Sequence, residues 1–458
     1  VPPSDLTDAD EPPPAGLPLP ARYWAIVTIA LGLIMAVLDS SIANVALPTI
    51  ARDLDATPAA SIWVVNAYQL AVTISLLPLA SMGDIWGYRR VYRGGLLVFT
   101  IASLACALSG SLTALAAARV LQGFGAAGIM SVNTALIRMI YPRRMLGTAM
   151  GINATMVAIS SAVGPTVASA ILSFGAWPSL FYVNVPIGIV ALVLSQRTLP
   201  FSLRAPHRFD WGSAALNALT FGLLITGIDG LGHGESAAAV AAELVGAGVF
   251  GVLLVRRQLR RPAPLLPVDL MRIPIFALSI CTSVASFCAA MMALVALPFY
   301  MQGALGRTQV ATGFLMTAWP ATVALVATGA GRLSERIAPG LLCAVGLCVL
   351  AAGLFSLTEL PANPSSFAII WRMAVCGLGF GVFQTPNNRA MLGAAPMNRS
   401  GGASGMLSTA RLLGQTSGAA LVSVLFSAIP GSGTQASLLA GMAFALAGAV
   451  LSLLRLGR

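Results

Sequence analysis

The chain of 458 residues is 57% hydrophobic and only 9% charged, whereas about a quarter of the residues of an ordinary soluble domain are charged; a soluble globular protein is excluded. The formal net charge of +11 does not mark a nucleic-acid binder, because the basic residues fall in short loops between apolar runs, where membrane orientation signals sit. Every basic residue is Arg, and without Lys there is neither a Walker A loop nor a Schiff-base nucleophile.

Residues 1–21 are rich in Pro and acidic side chains and hold no apolar run, which predicts a disordered tail. The tail lacks the basic region that opens a signal peptide. Fourteen apolar runs of helical length follow, at about 22–50, 60–82, 91–110, 113–140, 144–174, 179–198, 210–230, 236–256, 273–302, 307–332, 338–360, 366–392, 402–428 and 434–455. An all-α polytopic membrane protein is predicted. The six Cys all lie inside these runs without metal spacing and read as small buried hydrophobes.

Arginine placement predicts the orientation. The loops around Arg89–Arg93, Arg138–Arg144, Arg197–Arg208, Arg256–Arg272 and Arg332–Arg336 are basic, as are both tails, with Arg22, Arg455 and Arg458. The opposite loops hold only Arg52 and Arg307. The basic side is expected to be cytoplasmic. Both termini then lie inside, in agreement with an even number of crossings.

The chain also repeats itself. Gly123, Gly125 and Asn133 in the fourth run match Gly377, Gly379 and Asn387 in the twelfth at a constant offset. Gly147, Gly151 and Gly164 match Gly401, Gly405 and Gly418 at the same offset, and Ala46-Leu47-Pro48 matches Ala296-Leu297-Pro298 at a slightly smaller one. Two six-helix bundles, 22–200 and 263–458, are expected, with a linker and two extra helices at 201–262 between them. Same-order repeats place a binding site between the bundles near the midplane. Asp39 falls opposite Ala289 or Ala290, so its carboxylate is no part of the shared scaffold.

At this point the motifs resemble those of the fourteen-helix drug:proton antiporters of the major facilitator superfamily. LDSSIANVALPTI (38–50) and WVVNAYQL (63–70) resemble the first two helices of that family, ASMGDIWGYRR (80–90) the loop between helices 2 and 3, ARVLQGFGAAG (118–128) helix 4 and GPTVAS (164–169) helix 5. FYVNVPIG (181–188) and RFDWGS (208–213) resemble the lead-in to its two extra helices. Three departures stand out: Ala80 replaces the usual Gly, Ile85 replaces an Arg, and Ala168-Ser169 replaces a Gly pair. The resemblance implies the major facilitator fold and efflux of lipophilic, cationic compounds. The proton gradient would supply the energy, with no cofactor and no catalytic cluster.

The residues support a set of candidates. Asp39 is a carboxylate within a membrane run, a placement that costs a few kcal/mol or more and marks a functional site by default. Arg119 lies at similar depth on helix 4. Asp39 would bind a proton alternately with Arg119 or with a cationic substrate; a permanent structural ion pair is the other reading. Gln122, Met130 and Asn133 share the Arg119 face, Phe380, Phe383 and Asn387 share a face of helix 12, and Met35 shares the Asp39 face. With Tyr68 of helix 2, these are the candidate substrate-binding residues, since helices 1, 4, 9 and 12 line the cavity in the resembled family. Ordinary helix packing is the alternative for each. Arg411, near the midplane of helix 13, has no local partner and joins the set. Asp84, Arg89 and Arg90 are candidate gate residues, and Gly164 with Pro165 is a candidate hinge or seal.

The leading expectation is therefore a monomeric proton-coupled multidrug exporter in a bacterial inner membrane, with small molecules, protons and lipid as its partners and no nucleic acid. An anionic or neutral metabolite, siderophore or lipid as cargo is the alternative within the fold. Arg119, Arg372 and Arg411 against one central acid suit an anion. A non-transporting sensor is the alternative of another class. An enzyme is not expected, because only His207 and His233 are present and both stand alone.

Overall fold

A computed structural model describes residues 16–142, 145–202, 209–232, 235–261, 264–334, 336–396 and 399–456. Almost all of them are helical, and no strand occurs among the described residues. The long segments are α1 (Leu19–Asp53), α2 (Pro58–Trp86), α3 (Tyr88–Ala107), α4 (Leu112–Ile140), α5 (Leu146–Phe174), α6 (Ser179–Thr198), α7 (Trp211–Gly230) and α8 (Ala237–Gln258). They continue as α9 (Pro274–Ala304), α10 (Gln309–Leu333), α11 (Pro339–Thr358), α12 (Ser366–Ala394), α13 (Ser400–Ala428) and α14 (Gly433–Leu453). Among the described residues 13 are long and apolar enough to cross a membrane. Only α13 falls outside that set, because Ser404, Ser408, Arg411 and Gln415 lower its hydropathy.

Most of the expected disordered tail, 1–15, lies outside the described residues, as do His207 and His233. Its last residues depart from the expectation. Leu17 donates its N–H to the Ile140 carbonyl at 3.0 Å, and α1 begins at Leu19 rather than near Arg22. Pro20 is tolerated there because the first turn of a helix has no use for its missing N–H.

Helices α1–α6 pack chiefly on one another, as do α9–α14; α7 and α8 form a hairpin that touches α2 and α13. Asp210 caps α7 through the Ser213 N–H at 3.1 Å and ties the hairpin together by pairing with Arg257 at 2.7 Å. Partial burial would raise the Asp210 carboxyl, but its bonds from Arg257 and Ser213 outweigh that and hold it at about 2.

The repeat is physical, and glycines carry it. A Cβ on Gly123 would lie 2.6 Å from the Tyr68 carbonyl oxygen, and one on Gly377 would lie 2.3 Å from that of Trp319. One on Gly125 would meet the Phe99 nitrogen at 2.4 Å, and one on Gly379 the Leu350 nitrogen at 2.3 Å. Helices α4 and α12 thus press backbone to backbone on their neighbours at equivalent heights, which only glycine permits. The polar bonds between the bundles gather at the end opposite the two described chain ends. Thr49 bonds Gln309 at 2.9 Å, the Gln302 amide donates to the Val45 carbonyl at 2.9 Å, and Ser169 donates to the Val310 carbonyl at 2.9 Å. Near mid-height Thr73 meets Thr416 at 3.4 Å. Among the described residues no hydrogen bond joins α1–α6 to α9–α14 at the chain-end side. The polar contacts between the bundles are therefore concentrated at the far side.

Gly125→Val and Gly379→Val are each expected to lower stability by about 1–3 kcal/mol or more, as overpacking does. Gly94→Val, where nothing lies within 4 Å, is expected to be neutral by comparison. Thermal unfolding in detergent reads the difference.

Candidate functional site

Asp39 sits on α1 at 3% exposure, in the middle of the first bundle. Its buried carboxylate is surrounded by three donors from two other helices. Arg119 of α4 bonds Oδ2, Gln122 of α4 donates to Oδ1 at 2.8 Å, and Asn184 of α6 donates to Oδ1 at 2.9 Å. Gln122 also reaches the Ser103 hydroxyl on α3 at 2.9 Å, and its carbonyl accepts from Arg119 at 2.6 Å. The remaining edge of the guanidinium donates to the Val64 carbonyl at 2.8 Å, while its face lies 4.2 Å from the centre of the Tyr68 ring. Tyr68 in turn donates to the Ala36 carbonyl at 3.0 Å. Each polar group in this charged centre is met, as burial in a low dielectric demands.

The repeat shows what this network is not for. A Cβ on Gly95 would meet the Gly125 carbonyl oxygen at 2.8 Å and one on Gly346 that of Gly379 at 2.7 Å, which matches α3 to α11; with the offsets of the other matched residues, Asp39, Arg119, Gln122 and Ser103 correspond to Ala289, Met373, Cys376 and Leu354. All four of these are buried in the apolar core of the second bundle. The same backbone arrangement closes there without a charge, so packing alone does not call for the acid.

The structure revises several expectations. The Asp39 face of α1 points into the first bundle, not into the space between bundles: Met35 is 1% exposed and belongs to that bundle's core. Gln122 is fully buried at the carboxylate. Phe380 and Phe383 pack with Phe287 in the second bundle's core, ring centres 5.2 and 5.8 Å apart along the row. Asn387 is buried and bonds Ser283 at 2.8 Å and Arg455 at 2.8 Å. Sharing a helical face grouped these residues correctly; it did not say which side of the helix met the cavity. Asn133 pairs with Asn153 at 2.7 Å, and Met130 is half-buried against the first core.

Arg411 is different. It is partly exposed, its Nε is buried without a hydrogen-bond partner, and no ion pair reaches it among the described residues. It lies within electrostatic reach of Tyr68 across the bundle boundary. Of the gate candidates, Asp84 accepts from Tyr88 at 2.6 Å, Arg89 bonds the Gln196 carbonyl and stacks 4.3 Å from the centre of the Phe201 ring, and Arg90 is exposed. All these partners belong to the first bundle or the segment just after it. Gly164 abuts Ser41, where a Cβ would lie 2.7 Å from the serine Cβ, and the Pro165 carbonyl would lie 2.6 Å from a Cβ on Gly313 of α10. The pair thus sits in the far-side seam between bundles.

Sequence reasoning missed Asn184, Ser103 and Arg455. Asn184 stood in plain view within FYVNVPIG, a lone amide in an apolar run, and its cost in lipid was the available signal.

A sequence profile described as the Major Facilitator Superfamily matches residues 29–419. The chain belongs to that superfamily. It is therefore a membrane transporter rather than an enzyme. It is 59% identical over 443 residues to the uncharacterized transporter YebQ of Escherichia coli K12, covering 96% of this chain and 97% of that one. Similarity extends to the multidrug efflux pump LfrA of Mycolicibacterium smegmatis (33%, 89% and 82% covered) and the riboflavin transporter RibZ of Clostridioides difficile (29%, 88% of each). The fold resembles that of a bacterial homologue of the lysosomal transporter Spinster in its inward-facing state, at 15% identity, a TM-score of 0.69 and coverage of 96% and 97%.

Removing one partner of a buried pair leaves the other uncompensated, so Asp39→Ala is expected to cost about 3–5 kcal/mol. Combining it with Arg119→Met and Gln122→Cys, the residues of the second bundle, is expected to recover most of that loss. Thermal unfolding of the single and triple variants decides it.

Proposed function

We propose that this transporter exports lipophilic small molecules in exchange for protons by alternating access, across a bacterial inner membrane with both tails cytoplasmic. Fourteen crossings, with α13 among them, would make it one of the drug:proton antiporters. The observation that carries this reading is a carboxylate buried in the first bundle whose repeat partner is Ala289. Protonation of Asp39 removes the anion from Arg119 and converts one acceptor site of the carboxylate into an O–H donor. The guanidinium then stands uncompensated in a dry core, at a cost of several kcal/mol. Four helices, α1, α3, α4 and α6, share that network and must repack. Helix α1 also carries Thr49 and Val45 into the far-side seal, which gives the proton a mechanical route to the gate.

The residues on the basic side support a state open to the cytoplasm, with Asp84, Arg89 and Arg90 disengaged from the second bundle. Direct competition between a cationic cargo and the proton for Asp39 is not supported, because three side chains saturate that carboxylate away from the inter-bundle space. The coupling is thus through the bundle rather than through a shared site.

In proteoliposomes with an imposed pH gradient, Asp39→Asn is expected to abolish uphill accumulation while leaving energy-independent exchange of cargo measurable. Unchanged accumulation by the variant would remove Asp39 from the coupling.

A further inference from the structure

Helix α13 carries a polar stripe that the proton network does not use. Ser404, Ser408, Arg411 and Gln415 follow one another at helical spacing, and each is at least partly exposed. The faces on either side of the stripe are accounted for. On one, Gly405 lies against Leu77 and Thr416 meets Thr73, both on α2. On the other, Gly414 and Gly418 press on the backbone of α9 at Val284 and Cys288. The stripe therefore opens between α2 of the first bundle and α9 of the second, which is the space between the bundles. Arg411 stands about 16 Å into the helix from Ser400, near the middle of the membrane span.

A guanidinium at that depth requires an anion or water. Among the described residues no anion is paired with Arg411. The other acidic side chains of the described residues lie toward the ends of their helices, in loops, or on the α7–α8 hairpin, and Asp39 is already engaged by Arg119, Gln122 and Asn184. The Nε of Arg411 is buried without a hydrogen-bond partner, an unmet demand that an anion on the guanidinium would lessen. Tyr68, whose ring stacks on Arg119, lies within electrostatic reach of Arg411. The corresponding positions of α5 are Met150, Ala154, Val157 and Ser161, so the cationic stripe is confined to one wall.

We infer that Arg411, flanked by Ser408 and Gln415, is the docking point for an anionic group on the cargo, and that the transported class is amphiphilic organic anions with an aromatic or apolar body. A guanidinium binds a carboxylate in a two-pronged geometry, and the neighbouring hydroxyl and amide complete its hydrogen bonding. This assignment rests on the transporter reading above and specifies its cargo. It also links cargo to proton: an anion at Arg411 lies within electrostatic reach of Tyr68, whose ring packs on the partner of Asp39.

The test measures binding and transport separately. Purified protein is titrated with three matched aromatic dyes, a carboxylate, its neutral ester and a cationic amine, and the same dyes are followed in proteoliposomes with a pH gradient. The carboxylate is expected to bind more tightly than the ester, by about tenfold to a hundredfold for one charge-assisted contact. Arg411→Gln is expected to remove that preference and Arg411→Lys to retain part of it. Equal binding of the three dyes, or an unchanged preference in Arg411→Gln, overturns the assignment whatever transport shows. Selective anion binding without gradient-driven transport upholds the docking point and instead overturns the exchange mechanism.

Discussion

The ion pair between Asp39 and Arg119 is the interaction on which the first bundle depends. Five helices converge on it, and each contributes a hydrogen-bonding group to the network. Because the pair is almost fully enclosed, its charge state cannot change without moving something. A surface salt bridge of the same composition would be screened and nearly indifferent to protonation. Depth turns an ordinary acid and base into a two-state element.

The second bundle serves as an internal reference. Its glycines make the same backbone contacts, and its core closes with Ala289, Met373, Cys376 and Leu354 where the first places charge. One duplicated scaffold has thus been used in two ways: the apolar copy closes on hydrophobic side chains and the polar copy encloses an ion pair. The asymmetry extends to the walls of the space between them. The charged stripe belongs to α13, whereas its counterpart on α5 is largely apolar. On the proposals above, proton and cargo engage different bundles.

The far-side seal has a different physical character. It is built from neutral hydrogen bonds of Thr, Ser and Gln, each of modest net worth because water replaces it readily when the seam opens. Such a seam can close firmly and still be opened by a perturbation of a few kcal/mol. The glycine contacts within each bundle are of the opposite kind: they are dense, apolar and insensitive to charge.

Much of this was legible from the residues alone. Hydropathy defined the helices to within a few positions, because lipid leaves the backbone no alternative to internal hydrogen bonding. The offset between Gly123 and Gly377 exposed the duplication, and the cost of charge in lipid singled out Asp39, Arg119 and Arg411. What stayed hidden was direction. A helical face can be counted from a sequence, yet a membrane helix in a bundle has several buried faces of similar polarity. Only packing decided that Met35, Phe383 and Asn387 turn inward while Arg411 turns to the gap. Likewise Asn184 and Ser103 become partners of Asp39 only once α3 and α6 are brought beside α1, since no local pattern encodes a contact between residues so distant along the chain.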